Sequence, residues 1–301
     1  MSLITRRFIS TIRDINLKGS GIIAYYLSRL LIPKAKSQVV VDTIYDFKIK
    51  VDPVIDNGVE RAIYYYGTYE KGTLDVIGKI LREGDTFIDV GANIGIMSLY
   101  SGIKAGNTGK VISFEPNPKT RQILKDNIRL NNLKNIQIEE FALSSESKKS
   151  KIYDRWDINR GGATLIKPDN SDQGYDISEI SFTEYINKEK VSIIKIDVEG
   201  FELEVLKGAK EYLETSRNPP VLIVEFSFNR NNSFGKGTVL PLYNYIKDLS
   251  CNYRLFKAIK GKERISPLVE IKKESDIPQH DNIYCFTDNH LSNIPKSLFN
   301  S

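Results

Sequence analysis

Two periods of apolar residues alternate along this chain. Short apolar runs, typical of buried strands, are followed by segments in which apolar residues recur every three or four positions, as on one helix face. Residues 38–52 differ, because two short alternating runs flank Tyr45 and Asp46 and predict a β-hairpin. The pattern predicts strands at 86–90, 110–114, 136–140, 192–196, 221–226, 253–258 and 283–286. It predicts helices at 57–66, 71–81, 94–103, 118–131, 201–214 and 240–249.

The order of these elements predicts an α/β fold. From residue 86 onward strands and helices alternate, which is typical of a mostly parallel sheet covered by helices. Residues 144–180 and 227–238 are polar and have no clear period. Loops after the carboxyl ends of strands line the ligand crevice of such sheets, so we interpret both stretches as candidate lids. Their aromatic residues either face an acceptor or pack locally; these are Tyr153, Trp156, Tyr175, Phe228 and Phe234.

The composition is that of an ordinary globular protein. Of the 301 residues, 41% are apolar and 27% are charged, which excludes a disordered or fibrous chain. The length fits one large domain or two small ones. Cys251 and Cys285 are the only cysteines. This count excludes a disulfide scaffold and a cysteine-rich zinc module, and it suits a reducing, cytoplasmic compartment.

Positive charge is concentrated in residues 1–37. The formal net charge is +5, and this segment alone holds seven Lys and Arg residues and one acid, Asp14. The rest of the chain lacks the strong positive field of a nucleic-acid binder. Two interpretations of the segment stay open: basic helices packed on the domain, or a peripheral arm at the inner face of a membrane. Its apolar stretch at 21–32 is too short to span a bilayer, and no signal-peptide core follows the basic start.

The first chemical motif is FIDVGANIG, residues 87–95. A strand ends in Asp89, a turn carries Gly91 and Gly95, and a helix begins. Glycines let a backbone approach a ligand closely, and a helix start favours negative charge. The middle glycine of the dinucleotide fingerprint is missing, so a pyrophosphate would be held poorly. The acid before the turn suits a ligand that carries an ammonium group.

The second motif is SFEPN, residues 113–117, in which the next strand ends in Glu115. A carboxylate at this point can accept hydrogen bonds from both hydroxyls of a ribose. An isolated acid at a strand end would be a cap or a solvated turn, but its spacing from the glycine turn favours the ribose. A ligand that combines an amino acid with a ribose is S-adenosylmethionine.

The third motif is IIKIDVEGFE, residues 193–202, where an apolar strand runs into Asp197, Glu199 and Glu202. Such acids can bind the sulfonium ligand, bind a metal, act as a general base or cap a helix. Glu202 can act through the electrostatics of the first helical turn alone. Lys195 shares a strand face with Asp197. It is either an orienting cation, a base of depressed pKa, or half of a structural ion pair.

At these three segments the chain resembles the FkbM family of S-adenosylmethionine-dependent methyltransferases. The resemblance covers about residues 60–290, and its most specific pieces are FIDVGANIG, SFEPN and KIDVEGFELEVLKGA. YGTYE at 66–70, FALS at 141–144 and GGATL at 161–165 also look like family positions. The family implies a Rossmann-like class I fold with a seven-stranded, mostly parallel sheet whose last strand is antiparallel. It also implies methyl transfer to a hydroxyl of a sugar, glycan, glycolipid or small natural product such as a polyketide.

The resemblance implies a position for each part of the cofactor. It implies that Glu70 closes over the methionine end, although Glu70 could instead be an exposed acid at a helix start. The other residues implied at the methionine end are Asp89, Gly91, Ala92, Asn93, Gly95 and Asp197. Around the ribose and adenine it implies Glu115, Pro116, Asn117, Phe141 and Ala142. We therefore expect a helical arm at 1–37, a hairpin and helices at 38–82 that pack on the core, and a cofactor-binding domain at 83–301.

Methyl transfer to a hydroxyl needs a group that accepts its proton. The only histidines, His280 and His290, lie beyond the motifs, and we interpret them as surface or loop residues. We therefore predict Asp197 or Glu199 as the base, with Lys195 beside them. As an alternative, a Mg²⁺ ion held by Asp197 and Glu199 would acidify the hydroxyl.

Three other functions compete with methyl transfer to a hydroxyl group. The first is a catalytically silent binding domain whose basic arm is its working part. The second is nucleic-acid methylation, which is disfavoured because Asn218-Pro219-Pro220 precedes the fifth strand instead of following the fourth. The third is a dehydrogenase, which is disfavoured because the spacing of Gly91 and Gly95 does not match the dinucleotide fingerprint. One departure from the family concerns Phe182-Thr183-Glu184, where a Leu-Asp pair is common.

Overall fold

The structure is a computed structural model, and it describes residues 3–15, 17–153, 162–165, 167, 174–186, 189–227 and 239–299. The helices are α1 (Leu3–Asp14), α2 (Ser20–Leu31), α3 (Val59–Tyr66), α4 (Lys71–Ile80), α5 (Ile96–Ala105), α6 (Pro118–Leu130), α7 (Phe182–Ile186), α8 (Glu202–Thr215), α9 (Leu240–Asp248) and α10 (Asp288–Asn293). The strands are β1 (Val39–Asp42), β2 (Lys48–Val51), β3 (Thr86–Val90), β4 (Lys110–Phe114), β5 (Ile136–Glu139), β6 (Ala142–Ser144), β7 (Lys148–Tyr153), β8 (Gly174–Ser181), β9 (Ile193–Ile196), β10 (Val221–Ser227), β11 (Arg254–Ala258), β12 (Leu268–Glu270) and β13 (His280–Phe286).

The main sheet has the strand order β12-β11-β13-β10-β9-β3-β4-β5. Strands β10, β9, β3, β4 and β5 run parallel, while β13 is antiparallel to both of its neighbours. The predicted class I sheet, seven strands with the last one antiparallel, is therefore confirmed. An eighth strand, β12, pairs antiparallel with β11 at the edge. The sequence analysis missed it because three residues are too few to form a periodic pattern.

Both faces of the sheet are buried, which explains why apolar residues stand next to one another in its strands. Phe87 packs into the core on one face, and the next residue, Ile88, packs into the core on the other. Ile193 and Ile194 divide between the two cores in the same way. Successive side chains of a strand point to opposite faces, so a strand covered on both sides can be apolar at neighbouring positions.

The amino-terminal elements share one of these cores. Ile9 of α1 and Ala24 of α2 are fully buried in it together with residues of the hairpin and the sheet. The hairpin β1–β2 is also held by α6, because side-chain oxygens of Asn127 and Asn131 accept hydrogen bonds from the backbone of β2 at 2.7 and 2.8 Å. The predicted hairpin and arm helices are therefore present. Among the described residues, no helix has both the length and the apolar character needed to cross a membrane.

A second, three-stranded sheet follows the third strand of the main sheet. Its order is β6-β8-β7, with β7 and β8 antiparallel. The described part of 144–180 therefore contains strands that the sequence pattern did not predict, while the role of this stretch as a lid stays a prediction. Most of β7 is exposed, and only Ile152 and Tyr153 are buried, so the strand leaves almost no apolar period in the sequence. The other predicted lid, 228–238, lies outside the described residues, as do Trp156, Phe228 and Phe234.

Candidate active site

The three sequence motifs meet at one edge of the main sheet. Strands β3, β4 and β9 end side by side and are followed by Gly91, Glu115 and Asp197. Two adjoining pockets open there, with about 590 and 610 Å³ of space including their mouths. Because Gly91, Asn93, Asp197 and Glu199 line both pockets, one elongated ligand can occupy the two together.

The first pocket, here called the apolar pocket, has Glu115 in its wall. The Glu115 carboxylate accepts hydrogen bonds from the backbone N–H groups of Asn93 and Asn117, both at 2.9 Å. Burial raises the pKa of Glu115 to about 7, although the two N–H donors act in the opposite direction. Each carboxylate oxygen can accept more than one hydrogen bond, so both remain able to receive a hydroxyl. The apolar side chains of this pocket are Val90, Phe114, Pro116, Ala142, Leu143, Ile152, Ala163, Leu165, Val198 and Phe201.

Two of the residues implied around the adenine lie outside this pocket. The ring of Phe141 packs edge-on against Phe114 and Tyr185, with ring centroids 5.6 and 5.3 Å apart. The buried side chain of Asn117 caps α6 by accepting from the backbone N–H of Lys119 at 2.9 Å. Phe141 and Asn117 therefore support the pocket wall, while Pro116 and Ala142 line the pocket directly.

The glycines of the first motif serve the packing of the strand ends. Gly91 has φ +84°, and a Cβ there would lie 1.9 Å from the carbonyl oxygen of Asp197. Gly95 has φ +98°, and its Cβ would lie 2.4 Å from Leu124. The N–H groups of Gly91 and Ala92 both donate to the carbonyl of Phe114 at 3.0 Å. Neighbouring protein atoms are thus the first reason why glycine is required at these positions. The sequence alone had suggested the close approach of a ligand as the reason.

The second pocket, here called the acidic pocket, contains Asp89. This side chain is buried, and its Oδ2 accepts a hydrogen bond from Ser98 Oγ at 2.5 Å. Its Oδ1 has no hydrogen-bond partner among the residues that the structure describes. Burial raises the pKa of Asp89. A buried acceptor left open in this way fits a ligand that brings a donor. The ionisable residues of the pocket are Tyr69, Glu70, Asp89, Lys195, Asp197, Glu199 and Glu225.

Lys195 and Asp197 form an ion pair of 2.7 Å on the same strand face. Burial alone would lower the pKa of Lys195, but Asp197, Glu70 and Asp89 raise it above its usual range. The interpretation of Lys195 as a base of depressed pKa is therefore wrong, and Lys195 is a cation at neutral pH. Burial would raise the pKa of Asp197, but Lys195 and Lys262 lower it below its usual range.

Lys262 is a site residue that the sequence analysis missed. Its Nζ lies 2.9 Å from Glu70 Oε1 and 2.5 Å from Glu225 Oε1, and all three side chains are buried. Asn282 of β13 donates to the other oxygen of Glu70 at 2.8 Å. Glu70 is therefore buried at the methionine end of the implied site, and the alternative of an exposed helix-start acid is wrong. Lys262 follows a short turn after β11, where no motif marks it.

Glu225 and Asp197 are linked through a hydrogen bond between their carboxyl groups. Burial raises the pKa of Glu225 well above its usual range, and the neighbouring charge of Asp197 raises it further. Two carboxyl groups in contact favour a state in which one holds a proton and the other is ionised. The pKa shifts of the two groups, upward for Glu225 and downward for Asp197, give Glu225 the higher proton affinity of the pair.

The carboxylates of the acidic pocket give no support to the Mg²⁺ site that the sequence analysis considered. Oxygens of Glu70, Asp197 and Glu225 lie within 4.8 Å of one another, and Glu199 is not part of this group. The ammonium of Lys262 contacts two of the three, so a lysine already supplies the positive charge between them. The arrangement is that of an ion-pair network and offers no support for bound magnesium.

The third motif also contains a structural acid. Glu202 is buried, and its Oε1 accepts from the backbone N–H groups of Val198 and Gly200, both at 3.1 Å. Burial raises the pKa of Glu202 to about 7, against the effect of those donors. Glu202 therefore holds the turn at the start of α8. Glu199 has φ +54° and lies at the border of the two pockets.

The histidines occupy different surroundings. His290 caps α10 together with Thr287, whose backbone N–H donates to His290 Nδ1 at 3.0 Å. His280 is exposed at the start of β13, where its Nδ1 lies 3.1 Å from Ser227 Oγ. Burial of part of the ring lowers the pKa of His280. His280 is exposed, in agreement with the prediction of a surface residue, whereas His290 is half-buried within α10; Ser227 finds its partner in His280.

Comparison with known proteins gives a consistent set of relatives. A family model described as the methyltransferase FkbM domain matches residues 89–255, more than half of the chain. Methyltransferase sdnD of Sordaria araneosa is 29% identical over 193 residues, which is 53% of this chain and 73% of that protein. Hexuronic acid methyltransferase AglP of Haloferax volcanii is 33% identical over 148 residues, which is 48% of this chain and 59% of that protein.

Among solved structures, a SAM-dependent O-methyltransferase from Thermotoga maritima aligns with a TM-score of 0.41 and 11% identity. The alignment covers 84% of this chain and 94% of that one. The match to AglP spans less than two thirds of the length of that relative.

Proposed function

Since this chain belongs to the FkbM family of S-adenosylmethionine-dependent methyltransferases, we propose that it methylates a hydroxyl group of a sugar, glycan, glycolipid or small natural product. The observation that carries the proposal is the continuous pair of pockets at the carboxyl ends of β3, β4 and β9, apolar at one end and acidic at the other. A sugar acceptor is also supported by AglP, whose name describes it as a hexuronic acid methyltransferase.

The residues present fit the cofactor at three points. Both oxygens of Glu115 retain capacity for the ribose hydroxyls beside their backbone donors. Pro116 and Ala142 give the apolar pocket flat walls for an adenine. Asp89 Oδ1 is a buried acceptor without a partner among the described residues, as an ammonium group would require. Glu70 lines the same acidic pocket as Asp89.

The charge of the acidic pocket favours a cationic ligand. Three buried acids line it, namely Glu70, Asp89 and Glu225, and Asp197 beside them is half-buried; the buried lysines among these acids are Lys195 in the lining and Lys262 behind it. Burial raises the pKa values of Asp89 and Glu225, so their charged forms are costly in the free protein. A ligand with net positive charge reduces the cost of ionising them.

We assign the proton transfer to Asp197. S-adenosylmethionine, when bound, supplies an activated methyl group, so the protein has to orient the acceptor and remove one proton. The hydroxyl proton becomes far more acidic as its oxygen turns into an ether oxygen. The Asp197 carboxylate can therefore accept the proton in spite of its low pKa. Lys195 holds the carboxylate in place through its ion pair with Asp197.

The cofactor assignment is tested by calorimetric titration with S-adenosylhomocysteine. Glu115→Ala is expected to weaken binding by about a hundredfold, because two hydrogen bonds to a charged acceptor are lost. Asp89→Ala is expected to weaken it as well, and Glu211→Ala, an exposed acid on α8, serves as the control. Unchanged affinity in both site variants would refute the assignment. Absence of binding to the unaltered protein would instead favour the silent-domain alternative.

A pH dependence of cofactor binding follows from Glu115. The ionised carboxylate is the stronger acceptor for hydroxyls, and its pKa is raised to about 7. The affinity for S-adenosylhomocysteine is therefore expected to rise about tenfold from pH 6 to pH 8, following the ionised fraction. Glu115→Gln should abolish this slope. Glu202→Gln should keep it, since Glu202 has a similar pKa but lies outside both pockets. A slope that survives Glu115→Gln would assign the titration to another group.

A further inference from the structure

The amino-terminal arm, defined here as α1, α2 and the residues around them up to Lys36, holds more of the exposed large apolar side chains than all the other described residues together. Of the 17 exposed large apolar side chains of the described residues, ten belong to this arm. The most exposed on the two helices are Ile4, Phe8, Ile22, Ile23, Tyr26 and Leu30, at 54 to 80%. Single exposed apolar residues are ordinary, but a concentration of this kind marks an interaction site.

The exposed face cannot turn inward, because the opposite face is already packed. Ile9 and Ala24 are buried in the core of the domain. Ser10 accepts a hydrogen bond from Lys71 Nζ at 2.9 Å, and Ser20 Oγ accepts one from Arg264 at 2.7 Å. The arm is therefore held on the domain by both its apolar and its polar contacts.

The charge beside this face is positive. Lys18 lies between the two helices, and Lys34 and Lys36 follow α2; all three side chains are exposed. The one acid of the arm, Asp14, is already paired with Lys71. Basic side chains next to an exposed apolar helix face complement the surface of an anionic bilayer, in which apolar groups enter the headgroup region and lysines meet the phosphates.

We propose that the arm docks on an anionic lipid bilayer, with α1 and α2 lying in the plane of the interface. The apolar face enters the boundary between headgroups and acyl chains, and the lysines contact acidic headgroups. Lys71 and Arg264 hold the arm on the domain, and both are close in sequence to residues of the active site. Lys71 follows Glu70, and Arg264 lies two residues beyond Lys262. Docking of the arm therefore orients the acidic pocket relative to the membrane.

The test is sedimentation of the full-length chain with vesicles of phosphatidylcholine, with and without phosphatidylglycerol. We expect binding to the phosphatidylglycerol vesicles and a decrease as salt is raised. The triple variant Lys18→Gln, Lys34→Gln, Lys36→Gln should bind about a hundredfold more weakly, at the usual contribution of a lysine near an anionic surface. Ile22→Ser with Ile23→Ser and Leu30→Ser should reduce binding to a similar degree.

Matched controls separate this surface from general stickiness. Ile103→Ser with Ile259→Ser removes exposed apolar residues outside the arm and should leave vesicle binding unchanged. Calorimetry with S-adenosylhomocysteine on every variant checks that the fold and the cofactor site are intact, so that a failure of the docking proposal is distinct from a failure of the proposed function. Equal sedimentation of the arm variants and the unaltered chain would overturn the proposal.

The other occupant of such a face would be a second copy of the chain. Sedimentation velocity distinguishes the two, because a dimer formed through the arm would dissociate in the Ile22, Ile23 and Leu30 variant. Loss of a dimer in that variant with unchanged vesicle binding would assign the face to self-association and overturn the membrane proposal. A monomeric unaltered chain that binds the anionic vesicles supports it.

Discussion

Replacing Asp197 with asparagine is expected to slow methyl transfer by about a thousandfold, within the range that positioned proton acceptors contribute. Asparagine keeps the size of the side chain but cannot take the hydroxyl proton. It also removes the negative partner of Lys195, whose ammonium lies 2.7 Å from Asp197 Oδ2.

The rate is measured as S-adenosylhomocysteine formed with an acceptor found in a screen of uronosides, glycolipids and hydroxylated natural products. Glu199→Gln is the matched variant, because Glu199 lies between the same two pockets. We expect Glu199→Gln to retain most of the activity. The reverse result, with Asp197→Asn close to normal and Glu199→Gln inactive, would transfer the role of base to Glu199.

Lys262→Met is expected to destabilise the protein by about 3–5 kcal/mol, the usual cost of breaking a buried ion pair from one side. The change leaves Glu70 buried next to Glu225 without the ammonium that contacts both. The loss should shrink as the pH is lowered, because protonation removes the uncompensated charge. The free energy of unfolding is measured by denaturant titration at neutral and at acid pH.

The control for this change is Lys260→Met, two residues earlier in the same turn and less buried. A lysine close to solvent contributes little to stability, so this variant should unfold within about 1 kcal/mol of the unaltered protein. Equal stability of the Lys262 and Lys260 variants would mean that the buried ion pair does not hold Glu70 and Glu225 in place.

The parts of the fold that the sequence predicts are those with strong local patterns. Strands β3, β4 and β9 are apolar at successive positions because the sheet is covered on both faces, and Pro118 after Asn117 marks the start of α6. Strand β7 has no such pattern, because most of its residues face solvent. This strand forms because it pairs with β8, and no local pattern in the sequence reveals that pairing.

The same division holds for the site. Asp89, Glu115 and Asp197 can be found from the sequence because each ends a buried strand, and parallel strands end at one edge. Lys262 and Asn282 cannot be found in this way, since neither lies in a local motif and both reach Glu70 only through tertiary packing. The pKa directions of Lys195 and Asp197 likewise depend on the buried groups around them.

The contact between residue 91 and the carbonyl oxygen of Asp197 makes the spacing of two neighbouring strands a determinant of where the proposed base lies. Any side chain at position 91 has to push the end of β3 away from the end of β9, because its Cβ would overlap that oxygen. The carboxylate of Asp197 would move together with its backbone. In a saturation screen for activity, substitutions at position 91 would therefore look like the loss of a ligand contact. Their effect would nevertheless come from the displaced backbone of Asp197.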